Sequence, residues 1–230
     1  MWKYRDEFRM ERGVSTMKNC RIFSGLSEQQ IKLAEQLLDG SSHSYRTGEL
    51  IIVENAIVEQ IGIILKGQAS IAKFTFDGKE LLMQKLVSYD LVGAEIACTR
   101  RKTAPYTVYS ASDTDIYWFS ADKILRQGYI DNTIRELLLR NILYYIADEN
   151  MRKYHKIEAV SFKSVRERIV YYLSLQQKMK GTDQFYINFN REELANFLGV
   201  NRSVLSHELK RMEREGLIRF NKNYFEICRL

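Results

Sequence analysis

The 230-residue sequence predicts an α+β chain: a β-rich first half of sandwich or barrel type, one long helix, and a C-terminal helix pair closed by a small hairpin. Three observations predict it. Between residues 45 and 119, short apolar runs are broken at roughly 8 to 12 residue intervals by turn residues, the spacing of an all-β layer. From about residue 132 to 157 the apolar positions switch to a three-to-four repeat. Residues 190–222 then read as helix, tight turn, helix and hairpin.

Residues 1–20 carry no clear pattern and are left as an unassigned arm. Ser27 precedes a helical pattern of Ile31, Leu33, Ala34, Leu37 and Leu38 that runs out at Gly40. Ser41 to Ser44 reads as loop. Gly48, Asn55, Gly62, Gly67, Asp77-Gly78, Asp90, Gly93 and Asp113 then punctuate the β region. Asp77-Gly78, between residues 71–74 and 81–83, is the clearest hairpin, and 108–119 the clearest long final strand region.

On the long helix, Ile134, Leu138, Ile142, Tyr145 and Glu149 mark one side, and apolar neighbours double most of these positions. So broad an apolar surface needs two covers. One is the β-domain, the other a copy of the same helix in a second subunit; the alternative is a helix packed on its own domain alone. Residues 157–161 are the expected hinge. Ser161 is expected to cap the next helix, 162–177, whose Val165, Ile169, Tyr172 and Leu173 would pack beneath the last helices.

Asn190 can cap a helix with Glu193 reaching back, and that helix stops at Gly199. Asn201 opens the next one. There Leu205, Leu209 and Met212 form a buried stripe, while Arg202, Ser203, Ser206, His207 and Lys210 lie on a polar face near the N-terminal turns. A short glycine-bearing turn between two helices, followed by two strands around Asn221-Lys222-Asn223, reads as a winged helix-turn-helix whose polar face would meet DNA base edges; the alternative is an ordinary amphipathic pair whose exposed face only meets water. Charge agrees. Residues 161–230 hold 13 Lys and Arg against 8 Asp and Glu, whereas residues 1–160 hold 22 against 21, so nearly all of the net +6 lies with the winged helix. Lys210, Arg191 and Lys222 are expected to be phosphate contacts.

No run of about 18 apolar residues exists to span a membrane, and the first residues are too charged for a signal peptide, which gives a cytoplasmic expectation. Cys20, Cys98 and Cys228 are odd in number and far apart, so they read as reduced thiols. His43, His155 and His207 share no ligand spacing. No metal site or cofactor is expected, and an enzyme of cupin type would need histidines that the β region lacks.

The strings Phe23-Ser-Gly-Leu-Ser, Ile63-Ile64-Leu65-Lys66-Gly67, Asp77-Gly78, Gly93-Ala94-Glu95, Arg191-Glu192-Glu193-Leu194-Ala195 and Leu198-Gly199-Val200-Asn201-Arg202 together resemble the Crp/Fnr family of bacterial transcription regulators. The resemblance covers about residues 20–230. It implies a jelly-roll-like, double-stranded β-roll of the cyclic-nucleotide-binding type as an effector-sensing domain (21–130), a dimerisation helix with its hinge (131–160) and a winged helix-turn-helix (161–230). It further implies a homodimer on two-fold double-stranded DNA, with RNA polymerase as a candidate partner.

Cyclic-nucleotide binders of that family carry a Glu for the ribose and an Arg-Ser/Thr-Ala for the cyclic phosphate. Glu95 stands for the Glu, but Ala104-Pro105-Tyr106 occupy the Arg-Ser-Ala positions. A buried phosphate without its cation costs several kcal/mol, on the order seen when a buried ion pair loses one partner, so cyclic AMP is disfavoured. Arg100, Arg101 or Lys102 swinging in is the alternative. The positions that face the purine correspond to Lys153 and Tyr154; with Tyr106 and Tyr109 they suit a flat or apolar effector, or fill the old pocket so that no effector binds. A cyclic-nucleotide module acting on a partner protein is the remaining class, and it leaves the winged helix unexplained. By alignment with the family, Arg202 opens the recognition helix and is expected to reach a guanine edge or a phosphate; the family's following base-reading Glu and later Arg are Ser203 and His207 here, so the operator need not be the family's usual one.

Overall fold

A computed structural model describes residues 16–229, so most of the 1–20 arm lies outside the described residues. The chain forms two compact units whose boundary falls between Asn150 and Met151.

In the first unit two 3₁₀ turns, Thr16–Asn19 and Arg21–Phe23, precede α1 (Glu28–Leu38). Ser27 accepts from the Gln30 amide and Gln30 reaches back to the Ser27 amide, a complete capping box. Eight strands follow: β1 (Ser41–Tyr45), β2 (Leu50–Ile52), β3 (Gln60–Lys66), β4 (Gln68–Phe74), β5 (Glu80–Val87), β6 (Leu91–Val92), β7 (Thr107–Ser110) and β8 (Thr114–Ser120). They form two antiparallel sheets, β1-β8-β3-β6 and β2-β7-β4-β5. Short helices α2 (Ala94–Ala97) and α3 (Asp122–Leu125) interrupt and close this layer.

Strand β3 explains why its apolar run is unbroken. Ile64, with Ile116 and Trp118 of β8, packs into the core shared with the second sheet. Ile61 and Ile63, with Phe119, join the opposite core with Phe23, Ile31, Leu38 and α4 (Asn132–Ser161). Both faces are buried, so the alternation is hidden.

Several expectations need correction here. Ser41 to Ser44 is not loop but edge strand β1, paired with β8 in the register Ser42↔Tyr117. Gly62 is no turn. It sits mid-strand opposite Trp118, where a Cβ would come within 2.9 Å of the indole. The 108–119 stretch is two strands in different sheets, turned at residues 111–113 where the Ser110 and Thr114 hydroxyls both donate to the Ser112 carbonyl.

The predicted hinge is helical as well. α4 runs through Ser161, whose hydroxyl donates to the Ile157 carbonyl, and the cap of the next helix is Ser164. The five positions that mark the repeat of the long helix, Ile134, Leu138, Ile142, Tyr145 and Glu149, are all buried. The first four pack on Phe23, Ile61 and Phe119, and Tyr145 exchanges hydrogen bonds with the Leu91 backbone at 3.1 Å. Leu143 and Tyr144, 64% and 60% exposed, are the large apolar side chains that this part of α4 leaves uncovered.

The second unit holds the end of α4, then α5 (Val165–Lys180), β9 (Gln184–Tyr186), α6 (Arg191–Leu198), α7 (Arg202–Arg214), β10 (Ile218–Asn221) and β11 (Tyr224–Ile227). Its core gathers Ile169, Tyr172 and Leu173 of α5 with Leu194 and Leu198 of α6, Leu205, Leu209 and Met212 of α7, and Phe225. The sheet order is β10-β11-β9, so a third strand backs the predicted hairpin.

Candidate nucleic-acid interface

The two helices of the motif are fixed from their ends inward. Asn190 Oδ1 accepts from the Glu193 amide at 3.0 Å and Glu193 Oε2 from the Asn190 amide at 2.8 Å, which together stabilise the start of α6 by about 0.5–2 kcal/mol. Gly199 ends the helix in the left-handed region (φ 65°), as the tight turn requires. Asn201 has the extended backbone of a cap but makes no side-chain cap bond, which leaves α7's first amides open to an outside acceptor.

Two arginines of α5 brace this pair. Arg168 donates from Nη1 to the Leu198 carbonyl (2.9 Å) and the Gly199 carbonyl (3.3 Å), and from Nε to the Phe162 carbonyl (2.8 Å). A cation therefore sits at the negative end of α6. Arg166 forks onto Glu215 at 2.6 and 2.9 Å and reaches Glu208 at 2.5 Å. Glu208 is thereby drawn away from the polar face of α7.

On that face Arg202, Ser203, His207 and Lys210 are exposed and Ser206 is half-buried. No carboxylate interrupts residues 202–207, so the front of the helix is basic and rich in small hydroxyls. Lys222 is exposed in the hairpin turn with φ 51°. Arg191 is the first residue of α6. It is half-buried, and its guanidinium is taken up by its own protein, over the Phe220 and Phe225 rings and on the Lys222 carbonyl.

In the β-rich unit, Tyr106 donates to Glu95 Oε1 at 2.6 Å and is 5% exposed. Burial and the neighbouring Glu95 carboxylate push its phenol far above the ordinary range, so it remains a donor. Glu149, hydrogen-bonded by Gln84, adds negative potential around Tyr106 and Tyr145. Tyr109 is separate, donating to Glu80 at 2.6 Å. Arg100 and Arg101 are exposed, and Lys102 pairs with Glu59 and Asp122. Lys153, half-buried, and Tyr154, 60% exposed, belong to the second unit. His155 Nδ1 lies 3.0 Å from the Tyr171 hydroxyl. Burial raises the Cys98 thiol above its usual value and Cys20 to about 12, which keeps both protonated.

Comparison with known sequences brings the two units together. A cyclic nucleotide-binding domain profile matches residues 42–127, and a Crp-like helix-turn-helix domain profile matches residues 167–230. The chain belongs to the Crp/Fnr family of DNA-binding transcriptional regulators. Among Crp/Fnr relatives, the transcriptional activator protein FnrL of Cereibacter sphaeroides is 22% identical over 184 residues, covering 76% of this chain and 71% of that protein. The fold is shared with the c-di-GMP-responsive global regulator CLP of Xanthomonas campestris (TM-score 0.67, 17% identity, 87% and 99% of the two chains). It is shared also with FixK2 of Bradyrhizobium japonicum (TM-score 0.61, 16% identity, 82% and 92%).

Within this Crp/Fnr chain, no helix among the described residues is long and apolar enough to cross a membrane. The described residues also contain no group of three or more His, Cys, Asp or Glu placed to hold a metal ion. Sequence reasoning missed Arg166 and Arg168 as the braces of the motif. The partners of Arg166 lie 42 and 49 residues away, a separation that leaves no local signature in the sequence.

Proposed function

We propose that the chain acts as a homodimer that lays α7 of each copy into successive major grooves of a two-fold site, controlled by an effector other than cyclic AMP or by none. The observation that carries the DNA reading is the carboxylate-free front of α7, with Arg202, Ser203, Ser206, His207 and Lys210 on one side and Arg166 holding Glu208 back. Arg202 reads a base edge, Lys210 and Lys222 neutralise phosphates, and Ser203 and His207 set an operator of their own. The partner is double-stranded DNA in the cytoplasm, with RNA polymerase recruited at the promoter.

A gel-shift titration of the chain on its own promoter region against random duplex at fixed salt tests this. Specific retention is expected, and Arg202→Ala is expected to weaken it by about 1–3 kcal/mol, roughly 5- to 150-fold, with random duplex affected far less. Equal losses on both duplexes would place Arg202 on phosphate instead.

The effector reading rests on the Glu95–Tyr106 hydrogen bond. The phenol already occupies the carboxylate, Glu149 adds a second negative charge nearby, and Pro105 supplies neither guanidinium nor backbone N–H. Lys153 and Tyr154 remain candidates to face a flat effector, if one binds. Calorimetric titration with cyclic AMP is expected to show no binding at millimolar concentration and no change in duplex affinity. Micromolar binding that tightens the duplex complex would establish the rescue by Arg100 or Arg101.

A further inference from the structure

Arg191 opens α6, where its cation meets the positive end of the helix dipole. A solvated arginine gains nothing from that place. Here its planar face lies 4.9 Å from the Phe220 ring centre and 5.6 Å from that of Phe225, and Nη2 donates to the Lys222 carbonyl at 3.0 Å. These groups belong to β10, to β11 and to the turn that joins them. One guanidinium thus holds all three parts of the hairpin.

The turn needs holding. Lys222 has φ 51°, a backbone conformation that a residue with a side chain keeps only when its surroundings impose it. On the other side Asn223 accepts from the Ile187 amide at 2.9 Å and donates to the Ile187 carbonyl at 3.2 Å. Between these two clamps, the Lys222 side chain is left exposed.

We propose that Arg191 is a positioning residue: it clamps the wing so that Lys222 is presented to a duplex phosphate, and it makes no phosphate contact itself. This rests on the DNA-binding reading above, in which Arg191 was expected from sequence to be one more phosphate contact. Its planar face and one donor are already engaged with the hairpin. Lysine cannot replace it, because an ammonium has neither the flat face for two rings nor the fork for the carbonyl.

A double-mutant cycle on duplex affinity against salt concentration tests it. Lys222→Ala is expected to flatten the log–log slope by about one unit, as one lost phosphate contact does. Arg191→Ala is expected to flatten it by the same amount, and the double variant by no more than either single one. Arg191→Lys is expected to behave as Arg191→Ala. An additive loss of about two units, or recovery of the wild-type slope by lysine, would put Arg191 on a phosphate and overturn the proposal. An unchanged slope in Lys222→Ala overturns it also, by removing Lys222 from the duplex. Should Arg191→Ala loosen α7, seen as faster amide exchange there, the Arg191→Lys series carries the same comparison. Absence of any duplex binding by the unmutated chain would sink the DNA reading itself and is read separately.

Discussion

Leu209→Ala is expected to lower the opening free energy of the α7 amides by about 2–5 kcal/mol, measured by hydrogen exchange. Leu209 is wholly buried at the centre of the second unit's core, between Leu205 and Met212 on its own helix and among side chains of α5 and α6. Removing three carbons there forfeits their transfer free energy and leaves a cavity that the two flanking helices cannot both close upon. The expected loss is a large part of the roughly 5–15 kcal/mol that holds a typical domain together, so duplex binding should fail in parallel. Val204→Ala is the matched control. Val204 lies on the same helix but is 45% exposed, and its truncation should stay within about 0.5 kcal/mol. Equal effects at the two positions would mean that α7 is not held by its apolar stripe, and the assignment of its polar face would lose its basis.

That stripe was the most legible feature of the sequence, because several independent local signals agree on it. Asn190 with Glu193 marks a helix start, Gly199 a stop, and Leu205, Leu209 and Met212 a single side; each depends on residues within one or two turns of one another. The β-rich half was less legible for reasons that can be named. Gly62 reads as a break, yet its missing side chain makes room for Trp118, fifty-six positions away. β1 has no apolar alternation because it is an edge strand with largely exposed side chains. The turn between β7 and β8 uses serine and threonine hydroxyls where glycine or proline would have announced it.

Charged side chains were the hardest to place. Arg166, Arg168 and Arg191 look alike in a basic segment, and their sequence neighbours do not distinguish them from Arg202. Tertiary structure does: Glu208 and Glu215 take the first, the carbonyls of Phe162, Leu198 and Gly199 the second, and two phenylalanine rings the third. A count of positive charge therefore overstates how many cations remain for phosphate. Arg202, Lys210 and Lys222 carry the proposed contacts, and the salt slope should reflect that shorter set.

The largest functional effect is expected from α4. If the chain pairs through this helix, the apolar side chains that meet across the two-fold axis must be ones the first unit leaves uncovered, and Leu143 is the most exposed aliphatic residue there. At a two-fold contact a residue meets its own counterpart or a near neighbour of it, so Leu143→Glu places two carboxylates against each other in an apolar seam. The variant is expected to run as a monomer by light scattering at concentrations where the unmutated chain is dimeric. Duplex carrying two half-sites should then be bound about 10²–10⁴-fold more weakly, because the second half-site contact is no longer intramolecular. Affinity for a single half-site should be unchanged, since Leu143 lies in the unit that does not carry α7. A variant that remains dimeric and keeps its two-site affinity would move the subunit contact off this face of α4. A loss of single-site affinity as large as the two-site loss would show that the substitution damages the fold, leaving avidity out of the explanation.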